Sequence, residues 1–230
     1  DTDMGETVTG QLDAESRRLG LTIAGGHTEV VAGLDRPLCA LTCLGVADRY
    51  VPTGGATPGD RILLTKGAGI EATGVVATDF RDRLDLPAST LDRATAAFDD
   101  LSVMPEAAVL APVAAAMHDP TEGGVLEGLI EMALTAGATL EIDRDAVRVR
   151  DETRVVCDAV GIDPLRVLGS GALLAAVDAA DGDEALAALS AEGIDAVDIG
   201  RVVEGEASVE LDGQRYTEPI RDDVYALWDE

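Results

Sequence analysis

The chain has 230 residues, 47% of them hydrophobic, so it can bury a sizeable core and does not need disulfide bonds or a bound metal ion to fold. Its 44 Asp and Glu against 17 Lys and Arg leave a formal net charge of -27, which repels the phosphates of nucleic acids and acidic membrane surfaces. Nucleic acid is therefore not an expected partner. A membrane is not expected either, because no apolar run approaches the roughly eighteen residues that would span a bilayer.

The acidic residues are scattered among Ala and Val, as in a hydrated acidic shell. Charges are screened within about 3 Å at 1 M salt, so the sequence indicates a halophilic protein adapted to concentrated salt. Cys39, Cys43 and Cys157 form no CxxC pair and lie in apolar stretches, which predicts buried thiols in a reducing compartment. The first residues lack the basic and apolar parts of a signal peptide, so we expect a cytoplasmic protein.

The opening portion is predicted to contain one helix and several strands. Helical spacing predicts a helix over 6–19 that ends at Gly20. Leu21–Ala24 is a predicted short strand, and Leu38–Val46 has the apolar, Thr and Cys content of a buried strand. Dense turn chemistry at 51–60 then predicts a domain boundary near Gly55.

Strands and helices alternate in the remainder of the chain, which predicts an α/β or α+β sheet covered by helices. The predicted strands are 62–65, 139–142, 172–177 and 196–203. The predicted helices are 70–81, 91–101, 106–116, 124–136, 152–160 and 183–191. Asp212-Gly213, between alternating residues at 209–216, is the best hairpin signal.

A first glycine-bearing motif, Ala24-Gly25-Gly26-His27-Thr28-Glu29, follows the first predicted strand. Glycines let backbone amides approach a ligand closely, and the three polar side chains supply donors and acceptors. A plain strand turn would use the same glycines. The residues alone leave both interpretations open.

A second motif contains the only lysine, Lys66, between a predicted strand and the glycine turn of Gly67 and Gly69 that opens a helix. The other sixteen basic residues are Arg, so a retained Lys indicates a site that requires a compact charge, such as one facing phosphate. Free amides at a helix N-terminus add to the attraction for anions. The alternative is an ordinary turn with a solvated Lys.

The third motif, residues 117–124, places His118, Asp119, Thr121 and Glu122 before a helix. Carboxylates and a hydroxyl at a glycine-flanked helix start could hold Mg²⁺ through oxygen ligands while the amides face a phosphate. Asp119 or Thr121 could equally cap the helix with no ligand present. A turn histidine such as His118 is more often a hydrogen-bonding residue than an acid or base.

In this order, GGHTEV, LTKGAGIEAT and MHDPTEGGVLEGLIEMA resemble the aminoimidazole ribonucleotide (AIR) synthetase, or PurM-like, superfamily. This superfamily includes the hydrogenase maturation protein HypE, selenophosphate synthetase and thiamine-monophosphate kinase, and the resemblance is strongest to the archaeal HypE-like, AIR synthase-related branch. It implies a two-domain α/β (α+β) architecture. Residues 1–54 would be a truncated N-terminal domain, and 55–230 a complete C-terminal domain with a mixed sheet covered by helices.

The resemblance also implies a function. The expected protein uses ATP and Mg²⁺ to activate an amide-type or other small nitrogen-containing substrate and is a homodimer; the portion seen here would be inactive alone. The alternatives are a non-catalytic nucleotide-binding or scaffold relative and a small-molecule kinase of the thiamine-monophosphate kinase type.

The three motifs supply the residues that the resemblance implies for the site. Lys66, Asp119 and His118 are the catalytic candidates, and Asp119 is also the candidate metal ligand. The candidate cofactor-binding residues are the glycines and polar residues of the motifs: Gly25, Gly26, His27, Thr28, Glu29, Gly67, Gly69, Thr121, Gly123 and Gly124.

Overall fold

A computed structural model describes residues 2–31, 33–34 and 37–229. The chain divides into two compact units, residues 1–48 and residues 49–230. The domain assignment made from the sequence, 1–54 and 55–230, stays a prediction.

The first unit contains one helix, α1 (Thr2–Arg18), which starts four residues before the predicted one. Its last turn carries Arg17 and Arg18, where cations are favoured by the helix dipole. The described residues from 21 to 48 contain no helix or strand, so the strands predicted at Leu21–Ala24 and Leu38–Val46 are wrong. A strand requires a hydrogen-bonded neighbour, and the described part of this unit supplies none.

The same finding corrects the prediction for two cysteines. Cys39 and Cys43 are exposed because the apolar segment around them is not packed, and Leu44 within it is 91% exposed. Cys157 is buried as predicted, and this burial raises the pKa of its thiol to about 12.

The second unit is built on a seven-stranded mixed sheet, which confirms the predicted fold class. Its strands are β1 (Arg61–Thr65), β2 (Ala114–His118), β3 (Thr139–Ile142), β4 (Leu174–Val177), β5 (Ala196–Val203), β6 (Ser208–Leu211) and β7 (Gln214–Tyr216). They lie in the order β2-β4-β1-β5-β3-β6-β7. Neighbouring strands are antiparallel except β3 and β6, which are parallel.

Helices connect these strands and cover the sheet. They are α2 (Ile70–Asp79), α3 (Ala88–Thr95), α4 (Met104–Leu110), α5 (Gly124–Ala136), α6 (Asp151–Val160) and α7 (Gly182–Ala191). The helix predicted over 106–116 ends at Leu110, and residues 114–118 form strand β2 instead. Pro112 cannot continue the helix, and pairing with β4 outweighs the helix propensity of the alanines.

Alternate residues of the central strand β1 face opposite sides of the sheet. Ile62 and Leu64 pack with α5 in the largest core cluster, whereas Leu63 packs with residues of α4 and α7. A third cluster joins α2, α3 and α6 and contains Cys157. In this arrangement Gly128 of α5 lies against His118, the last residue of β2, and Leu174, the first residue of β4.

The predicted hairpin is confirmed. Asp212 and Gly213 join β6 to β7 with φ angles of 53° and 73°, the left-handed values that a two-residue hairpin turn requires. Among the residues that the structure describes, none of the helices is both long and apolar enough to cross a membrane.

Candidate active site at the start of helix α5

A cavity of about 560 Å³ lies beside the first turns of α5. Its lining combines four carboxylates, two hydroxyls and two apolar residues: Glu71, Thr121, Glu122, Glu127, Glu131, Leu168, Ser170 and Ile220. Glu71 belongs to the second sequence motif, and Thr121 and Glu122 belong to the third. The fold therefore brings two of the three motifs to one cavity.

Residues 164–169 hold these two motifs together. The Leu168 carbonyl accepts from the Ala72 amide at 3.1 Å, and the Gly169 amide donates to the Thr121 carbonyl at 2.9 Å. A Cβ at Gly124 would lie 2.3 Å from the Val167 carbonyl oxygen, so only glycine allows this approach. The segment thus lies against the starts of both α2 and α5.

The predicted ligand-facing glycines lie against protein backbone. A Cβ at Gly69 would meet the Pro164 carbonyl oxygen at 3.1 Å, and one at Gly67 would meet the Arg148 carbonyl oxygen at 2.7 Å. The Gly124 amide donates to the Thr121 carbonyl at 3.1 Å. These contacts explain the glycines by packing, and their predicted role in cofactor binding stays a prediction.

The C-terminal segment contributes Ile220 to the cavity lining, and the residues around it are bound to the start of α5. Buried Asp222 accepts from the Gly123 amide at 2.7 Å and from the Val224 amide at 2.8 Å. Burial raises the pKa of Asp222, although both amide bonds act in the opposite direction. The Ile220 amide donates to Glu127 Oε2 at 2.7 Å. The Tyr225 hydroxyl donates to Glu122, which raises the pKa of Tyr225.

Lys66 is not a lining residue of this cavity. It adopts a left-handed φ of 56° at the end of β1, and its ammonium donates to the Asp100 carbonyl at 2.9 Å and the Ser102 carbonyl at 2.7 Å. It also pairs with Glu106 Oε1 at 2.9 Å. An ammonium has three donors, and all three have partners here. The predicted phosphate contact stays a prediction, and it would require one of these contacts to break.

His118 reaches the cavity through another residue. Its Nε2 lies 2.7 Å from Glu131 Oε2, and its Nδ1 lies 3.4 Å from Thr53 Oγ1. Its side chain is 17% exposed, against 49% for Glu131. Asp119, the predicted metal ligand, is exposed and is not part of the cavity lining.

A magnesium site is not evident from the side chains alone. Within the described ranges, no group of three or more His, Cys, Asp or Glu side chains could hold a metal ion. The described side chains therefore form no complete Mg²⁺ site of their own, and the predicted role of Asp119 as a metal ligand stays a prediction.

The first motif belongs to the other compact unit. His27 and Glu29 are exposed, with His27 Nε2 4.0 Å from Glu29 Oε2. Gly25, Gly26 and Thr28 are exposed as well. Their predicted role in binding stays a prediction.

Sequence reasoning missed several residues of this region. Glu127 and Glu131 are spaced four residues apart on α5, a spacing that places them on one helix face beside the third motif. Ser170 lies in a glycine-rich segment, Leu168-Gly169-Ser170-Gly171, and this composition could have identified it as a candidate site residue. Asp222 and Tyr225 gave no signal, because their partners are about a hundred residues away along the chain.

The layered sheet and the cavity between two glycine-flanked helix starts define an α/β domain with a ligand-sized site. Residues 57–212 match the family model described as AIR synthase related protein, C-terminal domain, and the chain belongs to this family. The chain is 34% identical over 197 residues to carbamoyl dehydratase HypE of Cupriavidus necator, covering 82% of this chain and 54% of that protein. It thus spans about half the length of the curated relatives it matches.

Two solved structures share the fold. Escherichia coli HypE, a hydrogenase maturation protein, has a TM-score of 0.61 at 27% identity, covering 76% of this chain and 53% of its own. A HypE solved in complex with ATP has a TM-score of 0.69 at 22% identity, covering 96% of this chain and 70% of its own.

Proposed function

We propose that the protein takes part in the ATP-dependent activation of a small amide-type substrate, from which water is removed. The observation that carries this proposal is the cavity at the start of α5, whose four carboxylates and two hydroxyls offer acceptors for N–H groups. Its lining contains no Lys or Arg, so it suits the nitrogen end of an amide better than a phosphate. Carbamoyl dehydratase, the name of the relatives, denotes the same chemistry.

ATP is the proposed co-substrate because a HypE of the same fold was solved with ATP. Removal of water from a primary amide requires that the amide oxygen become a good leaving group, and phosphorylation achieves this. Mg²⁺ is proposed to accompany ATP. The residues of this chain would orient the amide, with Thr121 and Ser170 as hydrogen-bonding hydroxyls.

The organisation of the complete protein is also proposed. Residues 1–54 would be the end of an N-terminal AIR synthase-like domain, and its apolar stretch at 38–46 would be covered by the remainder of that domain. A homodimer in a salt-rich cytoplasm is proposed from the family resemblance and from the acidic charge. A heterologous protein partner is proposed as well, because one HypE was solved in complex with HypF.

The test is an assay of the complete protein with Mg²⁺-ATP and a panel of small primary amides, including S-alkyl thiocarbamates. Amide-dependent release of ADP with formation of a nitrile or thiocyanate would support the proposal. Binding of ATP in calorimetry without turnover would favour the scaffold alternative. A phosphorylated product that keeps all its oxygens would favour the small-molecule kinase.

A further inference from the structure

The four carboxylates of the cavity come from three places in the chain. Glu71 lies in the first turn of α2, Glu122 precedes α5, and Glu127 and Glu131 lie in α5. Glu131 pairs with the imidazole of His118 at 2.7 Å. Within the described ranges, no Lys or Arg forms an ion pair with any of the four.

Glu127 is the most enclosed of these four residues. It is 8% exposed and lines the cavity. Gly123 leaves room for its side chain, since a Cβ there would lie 2.6 Å from Glu127 Cβ. The Ile220 amide donates to Glu127 Oε2 at 2.7 Å. In the part of the chain that the structure describes, no group donates a hydrogen bond to Oε1, so an enclosed carboxylate keeps one free acceptor at the cavity.

The burial of a carboxylate costs free energy unless its charge is neutralised. Glu106 is 2% exposed, and Lys66 pairs with it at 2.9 Å. For Glu127, the start of α5 supplies only the helix dipole, which is equivalent to about half an elementary charge. An acidic shell adapted to salt consists of exposed carboxylates, so it does not account for Glu127. The cavity therefore keeps a negative charge that a bound cation would neutralise.

The charges of two other carboxylates act at one place beside the cavity. The Tyr225 hydroxyl donates to Glu122, and this hydrogen bond raises the pKa of Tyr225. Burial and the charges of Glu122, Asp222 and Glu71 raise it further. Glu71 from α2 thus lies close enough to act on the hydroxyl that Glu122 binds.

The rest of the lining suits a short aliphatic amide. Thr121 and Ser170 supply hydroxyls that can donate to an amide oxygen and accept from its nitrogen. Leu168 and Ile220 supply apolar surface for a few methylene groups. A neutral amide would satisfy these groups and leave the charge of the carboxylates unpaired. A ligand that also carries an ammonium group would pair with it.

We infer that the substrate is a cationic amide, in which a short aliphatic stem joins the amide to a protonated amine, and that Glu127 is the specificity-determining residue that binds the ammonium group. Glu71 and Glu122 add to the attraction. This inference rests on the proposed function and deepens it by naming the substrate class.

The test compares three primary amides that differ in charge: β-alaninamide is cationic, butanamide is neutral and succinamate is anionic. The complete protein is assayed with Mg²⁺-ATP for nitrile formation, and binding of each amide is measured by calorimetry. Both are done at low salt and at about 1 M KCl, where attraction between exposed charges is screened. We expect kcat/KM for β-alaninamide to exceed that for butanamide by about 10–100-fold at both salt concentrations, the size of a charge-assisted hydrogen bond. Succinamate should be the poorest of the three.

Glu127→Gln keeps an acceptor for the Ile220 amide and removes the charge, so the preference for β-alaninamide should fall by about 10-fold or more. The double variant Glu71→Gln with Glu122→Gln should lower it by a smaller factor. Glu192→Gln is the matched control, because it removes an exposed carboxylate outside the cavity and should keep the preference. Circular dichroism checks that each variant is folded.

The outcomes separate this inference from the proposed function. Equal kcat/KM values for β-alaninamide and butanamide overturn the inference and leave the proposed function intact. A preference that disappears in 1 M KCl and is unchanged in Glu127→Gln is general attraction to an acidic surface and also overturns it. So does displacement of β-alaninamide by Mg²⁺ alone, which would assign Glu127 to a metal ion.

Absence of a nitrile with all three amides overturns the proposed function. Calorimetry then decides on the ligand class. Tighter binding of β-alaninamide than of butanamide, lost in Glu127→Gln, supports a cationic ligand, and equal binding overturns it.

Discussion

Lys66 Nζ lies 2.9 Å from Glu106 Oε1, and this ion pair joins the end of β1 to the first turn of α4. Their side chains are 13% and 3% exposed, and the second oxygen of Glu106 is buried without a hydrogen-bond partner. In a buried pair of this kind, the attraction between the charges offsets the free-energy cost of their desolvation only when both partners are present. The single lysine of the chain therefore has a clear structural role in this fold.

Replacement of Lys66 by Met should destabilise the protein by about 3–5 kcal/mol, because Glu106 would remain buried without a counter-charge. Urea unfolding at constant salt measures this change. The double variant Lys66→Met with Glu106→Leu should recover much of the loss. Arg201→Met, which breaks an exposed pair with Glu141, is the control and should cost less than about 1 kcal/mol. Equal stabilities for wild type and Lys66→Met would contradict a structural role.

The orientation of the Lys66 side chain could not be predicted from the sequence. Its scarcity and its place before a glycine turn indicated a phosphate contact, and both observations are local. The left-handed φ of 56° and the carbonyls of Asp100 and Ser102 turn it towards α4 instead. Those partners are more than thirty residues away in sequence, so local patterns cannot reveal them.

Elements with strong local signals were predicted well. Helix α5 spans 124–136 as predicted from its periodicity, and the Asp212-Gly213 turn has the expected conformation. Residues 114–118 were missed because alanines favour a helix, whereas the observed strand depends on β4, sixty residues later. The convergence of two motifs at the cavity was visible only as a family resemblance, because residues 164–169 bring them together through backbone contacts.

Gly124→Ala and Gly137→Ala form a matched pair at the two ends of α5. Both glycines have left-handed φ angles, 65° and 69°, so both substitutions carry a similar backbone cost of about 1 kcal/mol. The Cβ at 137 meets open space, whereas that at 124 would lie 2.3 Å from the Val167 carbonyl oxygen. We expect Gly124→Ala to lose at least about 2 kcal/mol more in thermal or urea unfolding. Equal losses would show that residues 164–169 do not press on the helix start.

Thiol labelling tests the organisation proposed for residues 1–54. In the 230-residue chain, Cys39 and Cys43 are exposed and should react rapidly with a maleimide at a pH of about 7.5–8. Cys157 should react slowly, because its thiol is buried with a pKa of about 12. In the complete protein, the proposed first domain should cover 38–46 and protect both exposed thiols. Rapid labelling of Cys39 and Cys43 there would contradict the proposal.

Asp222→Asn tests how the C-terminal segment is attached to the start of α5. At neutral pH the variant should lose about 1–3 kcal/mol, because the Gly123 and Val224 amides donate to different oxygens of Asp222, Oδ2 and Oδ1, and an Asn side chain would present an N–H donor to one of them.

The same comparison has a defined dependence on pH. Burial raises the pKa of Asp222 in the folded state above its unfolded value of about 3.9, so between these two values the folded protein binds a proton that the unfolded chain has released. The free energy of unfolding of the wild type relative to Asp222→Asn should therefore increase as the pH falls through this window and decrease as it rises. Urea unfolding of both proteins at a series of pH values measures the difference, which cancels the titration of the many other acidic residues. A difference that decreases on acidification would show that the two amide bonds outweigh burial and lower the pKa of Asp222 instead.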